Sequence, residues 1–222
     1  MLSLPSRSQT LRGRFEADGY LPLPGLLDPD SLTALRAEAR RLELSAARRD
    51  FSMECMAGSP RHMTTLGGLQ IAQESPLISG LYQGADLLAF LASVLGGEVA
   101  TVGDPVERHV LNILHREGDT HGAHTDDYPL ALVLFLEAPP RPEDGGVLEF
   151  SPGHQDLDEL NSATTRRAHH QPGEGYLLRS DRTAHRVTPL NRPGIRRTVL
   201  NLAYTVPGRQ APTTPSASLL YG

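Results

Sequence analysis

Residues 118–128 read GDTHGAHTDDY. His124 and Asp126 stand two apart. At the end of a strand, residues two apart share a face, so an imidazole and a carboxylate converge on one point. His185, inside another apolar run, is a candidate third ligand. Two histidines and one carboxylate occupying one face of a metal leave open positions on the other, as in non-haem iron oxygenase sites. An HxD pair alone is weak, since the chain has nine histidines. His109, His115, His154, His169 and His170 read as ordinary surface-turn histidines. Arg197 opens the apolar run TVLNLAYT, where a permanently charged forked donor suits a carboxylate. Arg186, Arg192 and Arg196 need no more than surface ion pairs.

Outward from this stretch, the second half of the chain is built of short apolar or alternating runs. They are Val106–His115, Leu130–Leu136, Val147–Phe150, Gly175–Leu178, His185–Leu190 and Thr198–Thr205, separated by Gly and Pro clusters. Such spacing suggests a sandwich or jelly roll. Leu130–Leu136 is apolar throughout, which places it in a sheet covered on both faces. The first hundred residues read as mainly helical. Residues 15–27 suggest an entry strand and turn. Asp28-Pro29 is a cap-then-Pro signal opening a helix to about Arg48. Ser75-Pro76 repeats it, and Asp86 to Leu95 ends at Gly96-Gly97. Residues 50–75 and 151–173 lack periodicity and read as lids, with Met53, Met56 and Met63 candidates to line the first. The tail after Val206 reads as a flap or a loosely held end.

The chain has 222 residues, 39% hydrophobic and 21% charged, which fits one folded domain: 1–100 helical support and lid, 101–206 core, 207–222 tail. Every one of the 21 basic residues is arginine, and the net charge of -5 argues against a nucleic-acid or anionic-membrane partner. One cysteine, Cys55, excludes a disulfide scaffold. No uninterrupted apolar run is read as a bilayer span, and Met1–Arg14 lacks a secretory signal's apolar segment, so the cytoplasm is expected.

HTD, GGVLEF at 145–150, HRVTPL at 185–190 and RRTVLNLAY at 196–204, in that order, resemble the 2-oxoglutarate-dependent Fe(II) dioxygenase superfamily. The resemblance spans about 105–206, and FEADGYLPLPGLLDPDSLTALRAEA resembles how many members begin. It implies an α+β, mainly β fold: a double-stranded β-helix (jelly-roll or cupin-like) core with N-terminal helices packed on one sheet. It implies Fe(II) on His124, Asp126 and His185, with 2-oxoglutarate and O2 as co-substrates and ascorbate as reductant. It also implies a clamp for the distal carboxylate of 2-oxoglutarate at Arg197, with Arg196 as the fallback, since adjacent residues face opposite ways.

GDTHGAHTDDYPLALVLFLEAPP more narrowly resembles the radical halogenases of free lysine and their hydroxylase relatives. That likeness implies Glu107 on the first core strand for the substrate amine, His121 lining the pocket, Arg61 for the substrate carboxylate and Asn201 as a polar contact. Ala203 stands where a hydroxyl residue is expected, and an indole contact of that group is missing or replaced. Plainer roles compete: Glu107 paired with Arg108, His121 as a hydrogen-bonded support, Arg61 as a loop anchor. Halogenases of this group carry Gly or Ala where hydroxylases carry the carboxylate, so Asp126 implies hydroxylation, with Asp127 facing the other way on the strand and serving as a loop or supporting group. The substrate expected is a free basic amino acid, lysine before ornithine or arginine, and a homodimer is allowed. The competing readings are a same-fold oxygenase of a carrier-bound or other metabolite, a non-enzymatic metal and 2-oxoglutarate binder, and a zinc or manganese hydrolase.

Overall fold

A computed structural model describes residues 2–6, 9–209 and 213–222. The readings that fall on residues 1, 7 and 8 of the amino-terminal stretch and on 210–212 of the tail lie outside the described residues.

The chain enters on α1 (Gln9–Asp18), so Phe15 belongs to a helix and not to the expected strand; it is fully buried. Gly19, at φ +61°, turns the chain into β1 (Tyr20–Leu23). Asp28 accepts from the Ser31 N–H at 2.8 Å and caps α2 (Pro29–Leu42), whose Leu35, Ala39 and Leu42 form its buried stripe. This helix ends six residues short of Arg48, because the chain from Ala47 is recruited into a hairpin. Strand β2 (Ala47–Met53) pairs antiparallel with β3 (Ser59–Leu66), Ala47 opposite Thr65 and Met53 opposite Ser59. Much of the segment expected to be irregular is therefore sheet.

Three helices follow: α3 (Gly68–Glu74), α4 (Pro76–Tyr82) and α5 (Ala85–Leu95). Ser75 caps α4 and Gly96, in the left-handed region, ends α5, as the capping signals indicate. One stretch, Pro76–Leu95, reaches the length of a membrane span with mean hydropathy 1.4, although Gln83 and Asp86 interrupt its apolar run. It is split between α4 and α5 at Gln83-Gly84, and its Ile78, Tyr82, Phe90 and Leu91 lie in the core.

The remaining strands are β4 (Ala100–Thr101), β5 (His109–Leu114), β6 (Thr120–His124), β7 (Leu130–Glu137), β8 (Leu148–Ser151), β9 (Arg166–Ala168), β10 (Gly175–Leu178), β11 (Ala184–Val187) and β12 (Arg197–Thr205), and α6 (Pro215–Tyr221) closes the chain. All pairings are antiparallel, in the order β1-β10-β7-β12-β5-β3-β6-β11-β8-β9, with β2 on β3 and β4 on β12. The sheet curls into a jelly roll. Along β7 the period-2 alternation sends Leu130, Leu132, Leu134 and Leu136 toward the helices and Val133 and Phe135 into the curl. Both faces are covered, which is why the run carries no polar residue. In β12, Leu200, Leu202 and Tyr204 pack on the helix side, leaving Arg197, Val199 and Asn201 for the interior.

Candidate metal centre

Strand β6 ends at His124, directly opposite His185 of β11. Asp126 lies just beyond the strand, its backbone N–H donating to the Ser180 carbonyl at 3.0 Å. Asp126 Oδ1 is 3.6 Å from His124 Nε2 and 3.8 Å from His185 Nε2. One ligand atom from each of the three lies within 4.8 Å of the others. His124 Nδ1 sits 2.7 Å from the Gly122 carbonyl and His185 Nδ1 2.9 Å from the Thr183 carbonyl. A carbonyl only accepts, so each Nδ1 carries the proton and each Nε2 offers a lone pair. Burial, reinforced by His121, His185 and Arg61, holds His124 well below the usual imidazole range and hence neutral, as a ligand must be.

Gly122 is required by close approach. A Cβ there would lie 2.6 Å from the Pro60 carbonyl oxygen and 2.7 Å from its Cδ. Gly122→Ala is expected to destabilise the fold by about 1–3 kcal/mol, read as a lower Tm. It also weakens metal binding, because the carbonyl orienting His124 must move.

Two cavities meet at this centre and share His121, His124, Asp126 and Asn201. The inner one reaches Arg197, which is 3% exposed. Its guanidinium carbon lies 5.0 Å from the centre of the Phe135 ring, beside the Tyr176 hydroxyl, and its Nε has no hydrogen-bond partner. Among the described residues no carboxylate pairs with it. A buried charge left so is costly, and an incoming carboxylate removes that cost. Arg196, the fallback, faces outward and is held by Glu43 at 2.7 Å and Glu137 at 3.3 Å.

The outer cavity holds Arg61, Glu107, Asp127, Met53 and Met56. Arg61, on β3 opposite His121, is 1% exposed. It donates to Ser59 Oγ at 2.7 Å and the Pro60 carbonyl at 3.1 Å, which anchors it, yet its Nε is unpartnered and no carboxylate among the described residues reaches it. Glu107 sits in the turn before β5 and not on the strand itself. Its ion pair with Arg108 does not form. Burial first, then Asp127, Asp126 and Asp104, push its carboxyl up to about 8, and its proton is shared toward Asp127. His121 stacks on His124, ring centres 4.1 Å apart, and its Nε2 has no partner. The buried Oδ1 of Asn201 has none either.

Other expectations are corrected by the fold. Asp127 does not face away; past the end of β6 the strand alternation no longer applies, and it lines the same cavity as Asp126. Met63 belongs to a core cluster with Leu114 and Val187. His109 and His170 are buried, at 1% and 5% exposure, since strands distant in sequence cover them. Residues 151–173 include a short helical turn and β9 and supply no side chain to either cavity. The cover comes from α6, whose Ala217, Leu220 and Tyr221 line the outer cavity. Thr65 Oγ1 donates to the Leu220 carbonyl at 2.6 Å and Thr214 Oγ1 to Asp127 Oδ2 at 2.8 Å, so both ends of the helix are pinned. Asn112, which lines the inner cavity, reaches the Tyr221 hydroxyl at 3.5 Å. No signal in the Pro/Ser/Thr-rich tail marked these groups apart from the Thr214-Pro215 cap.

The Halogenase D family model, HalD, matches residues 4–214. No curated protein matches the chain. Among solved structures, the non-heme α-ketoglutarate-dependent epimerase SnoN of nogalamycin biosynthesis superposes with a TM-score of 0.67 at 19% identity, covering 89% of this chain and 80% of that one. HygX from Streptomyces hygroscopicus, solved with nickel and 2-oxoglutarate, gives 0.69 at 14% identity, covering 95% and 93%. EctD from S. alaskensis, solved with 2-oxoglutarate and 5-hydroxyectoine, gives 0.66 at 20% identity, covering 90% and 76%. These likenesses establish the jelly-roll fold.

Proposed function

This chain belongs to the Halogenase D family, and from that premise we propose that it is an Fe(II)- and 2-oxoglutarate-dependent hydroxylase of a free basic amino acid, lysine before ornithine or arginine. The observation that carries the reading is the Asp126 carboxylate, 3.6 Å and 3.8 Å from the two histidine Nε2 atoms. It fills the position that a halide would need.

The donor set suits ferrous iron: two neutral imidazoles with fixed tautomers and one carboxylate. His124, Asp126 and His185 hold it. Arg197, with a buried unpartnered Nε in the same cavity as the three ligands, would take the distal carboxylate of 2-oxoglutarate. Iron with 2-oxoglutarate and O2 supplies the oxidant for an unactivated C–H bond, yielding the hydroxy-amino acid, succinate and CO2. The protein's own work is placement. Arg61 receives the substrate carboxylate and Glu107 its side-chain amine, so the chain between them is presented to the metal at a fixed carbon. His121 and Asn201 line the path. Tyr221, Leu220 and Met53 keep water from the reacting carbon. We place this activity in the cytoplasm, where the exposed Cys55 thiol stays reduced.

The test is a screen of the twenty amino acids with Fe(II), 2-oxoglutarate and ascorbate in chloride buffer, read by mass. A basic amino acid gaining one oxygen is expected. A chlorinated main product overturns the assignment of hydroxylation. Consumption of 2-oxoglutarate with no amino acid modified overturns the substrate class.

A further inference from the structure

The two rings beside Arg197, Phe135 and Tyr176, rest on a buried group that the chemistry above does not use. The His170 ring centre lies 4.8 Å from that of Phe135 and 5.2 Å from that of Tyr176, tilted 30° to each. The Tyr20 hydroxyl is 3.0 Å from His170 Nε2, and Glu174 Oε2 is 3.4 Å from Nδ1. An ionised carboxylate only accepts. Nδ1–H therefore faces Glu174, and Nε2 accepts the Tyr20 proton, so a neutral ring satisfies both contacts. The same turn is stitched to Phe135 through the backbone. The Phe135 N–H donates to the Glu174 carbonyl at 2.9 Å and the Gly173 N–H to the Phe135 carbonyl at 2.8 Å. Tyr20 also packs on Tyr176, ring centres 5.7 Å apart.

The charged and titratable groups facing His170 are Glu174, Arg197, His169, Tyr20 and Tyr176. Burial, with Arg197 and His169 adding and Glu174 opposing, lowers its imidazole to about 4. A charged ring here would set a second cation against Arg197; a small side chain would leave both clamp rings without a backing.

We propose that His170 is a positioning residue for the anion clamp: locked by Tyr20 and Glu174, it fixes Phe135 and Tyr176, and through them the Arg197 guanidinium, without touching the bound acid. The proposal rests on the reading of Arg197 as the 2-oxoglutarate clamp. It assigns to His170 the affinity for 2-oxoglutarate and not the rate of oxidation.

The test is calorimetric binding of 2-oxoglutarate to protein loaded with Mn(II) in the absence of oxygen, alongside steady-state turnover. His170→Ala is expected to weaken 2-oxoglutarate binding by about tenfold, the size seen when the partner of a site group is removed. The kcat at saturating 2-oxoglutarate and the KM for the amino acid stay within about twofold of wild type on this account. His170→Gln, which can still accept from Tyr20 and donate to Glu174, restores most of the affinity. Unchanged binding in a folded His170→Ala protein overturns the proposal, as does an equal loss in kcat and in both affinities. If His170→Ala does not fold, Glu174→Gln carries the same test, because it removes the charge that fixes the tautomer. Its unaltered 2-oxoglutarate affinity would then be the overturning result. Arg197→Met in parallel separates the two claims: if it leaves 2-oxoglutarate binding unaltered, the clamp reading itself falls.

Discussion

Glu107→Gln is expected to lower turnover of basic amino acids by on the order of a hundredfold or more, while making the folded protein more stable at alkaline pH. Both effects have one cause. Glu107 sits among Asp127, Asp126 and Asp104 and forms no ion pair among the described residues, and its carboxyl is raised to about 8 from an ordinary 4.5. Between those two values the folded state keeps a proton that the unfolded chain has lost. Stability therefore falls as pH rises from about 4.5 to about 8 and levels off above. Glutamine removes this pH dependence, and the gain at pH 8 to 9 is on the order of a few kcal/mol. It also removes the one carboxylate whose ionisation an incoming ammonium group completes. Binding of a basic amino acid near neutral pH should release about one proton. Calorimetry in buffers of different ionisation enthalpy measures that release, and urea melts across pH 5 to 9 measure the stability. Unchanged turnover in the glutamine variant would remove Glu107 from substrate recognition.

What could be read ahead of the structure was what local chemistry dictates. Asp28-Pro29 and Ser75-Pro76 announce helix starts because a side-chain acceptor and a fixed φ suit a first turn. Leu130–Leu136 announces a doubly covered strand because seven consecutive apolar residues suit a short strand buried on both faces. His124, Asp126 and His185 stand out because few residue types offer a metal a lone pair. The alternation of β12 also separates Arg197 from Arg196 correctly. What stayed hidden depends on partners distant along the chain. Strand β2 carries Arg48, Arg49 and Asp50: Arg48 pairs with Asp50 and Asp119, Arg49 donates to the Thr65 hydroxyl and the Gly222 carbonyl, and Arg49 interrupts the apolar row of Ala47, Phe51 and Met53. The burial of His170 depends on Tyr20, Phe135 and Tyr176, which lie on three separate strands. Asp127 escapes the strand alternation because the strand stops at His124.

Asp126→Gly is the substitution with the sharpest consequence at the metal. It removes one of three ligand atoms that meet within 4.8 Å and the only anionic one. Two neutral imidazoles then face a divalent cation in a buried site, where an uncompensated charge is expensive. Hydroxylation is expected to fall by about a hundredfold or more, as does metal affinity in chloride-free buffer. A bound divalent cation and Arg61 favour an anion at the vacated position, against the opposing charges of Asp127 and Glu107. Metal affinity of the variant should therefore rise with chloride concentration, whereas that of the native chain should not. Titration of Mn(II) by calorimetry in chloride and in chloride-free buffer distinguishes the two. Equal affinity in both buffers would mean that the loop carrying Thr125 and Asp127 closes over the gap or that water fills it. In that event more than the carboxylate at 126 separates oxygen transfer from halogen transfer on this fold.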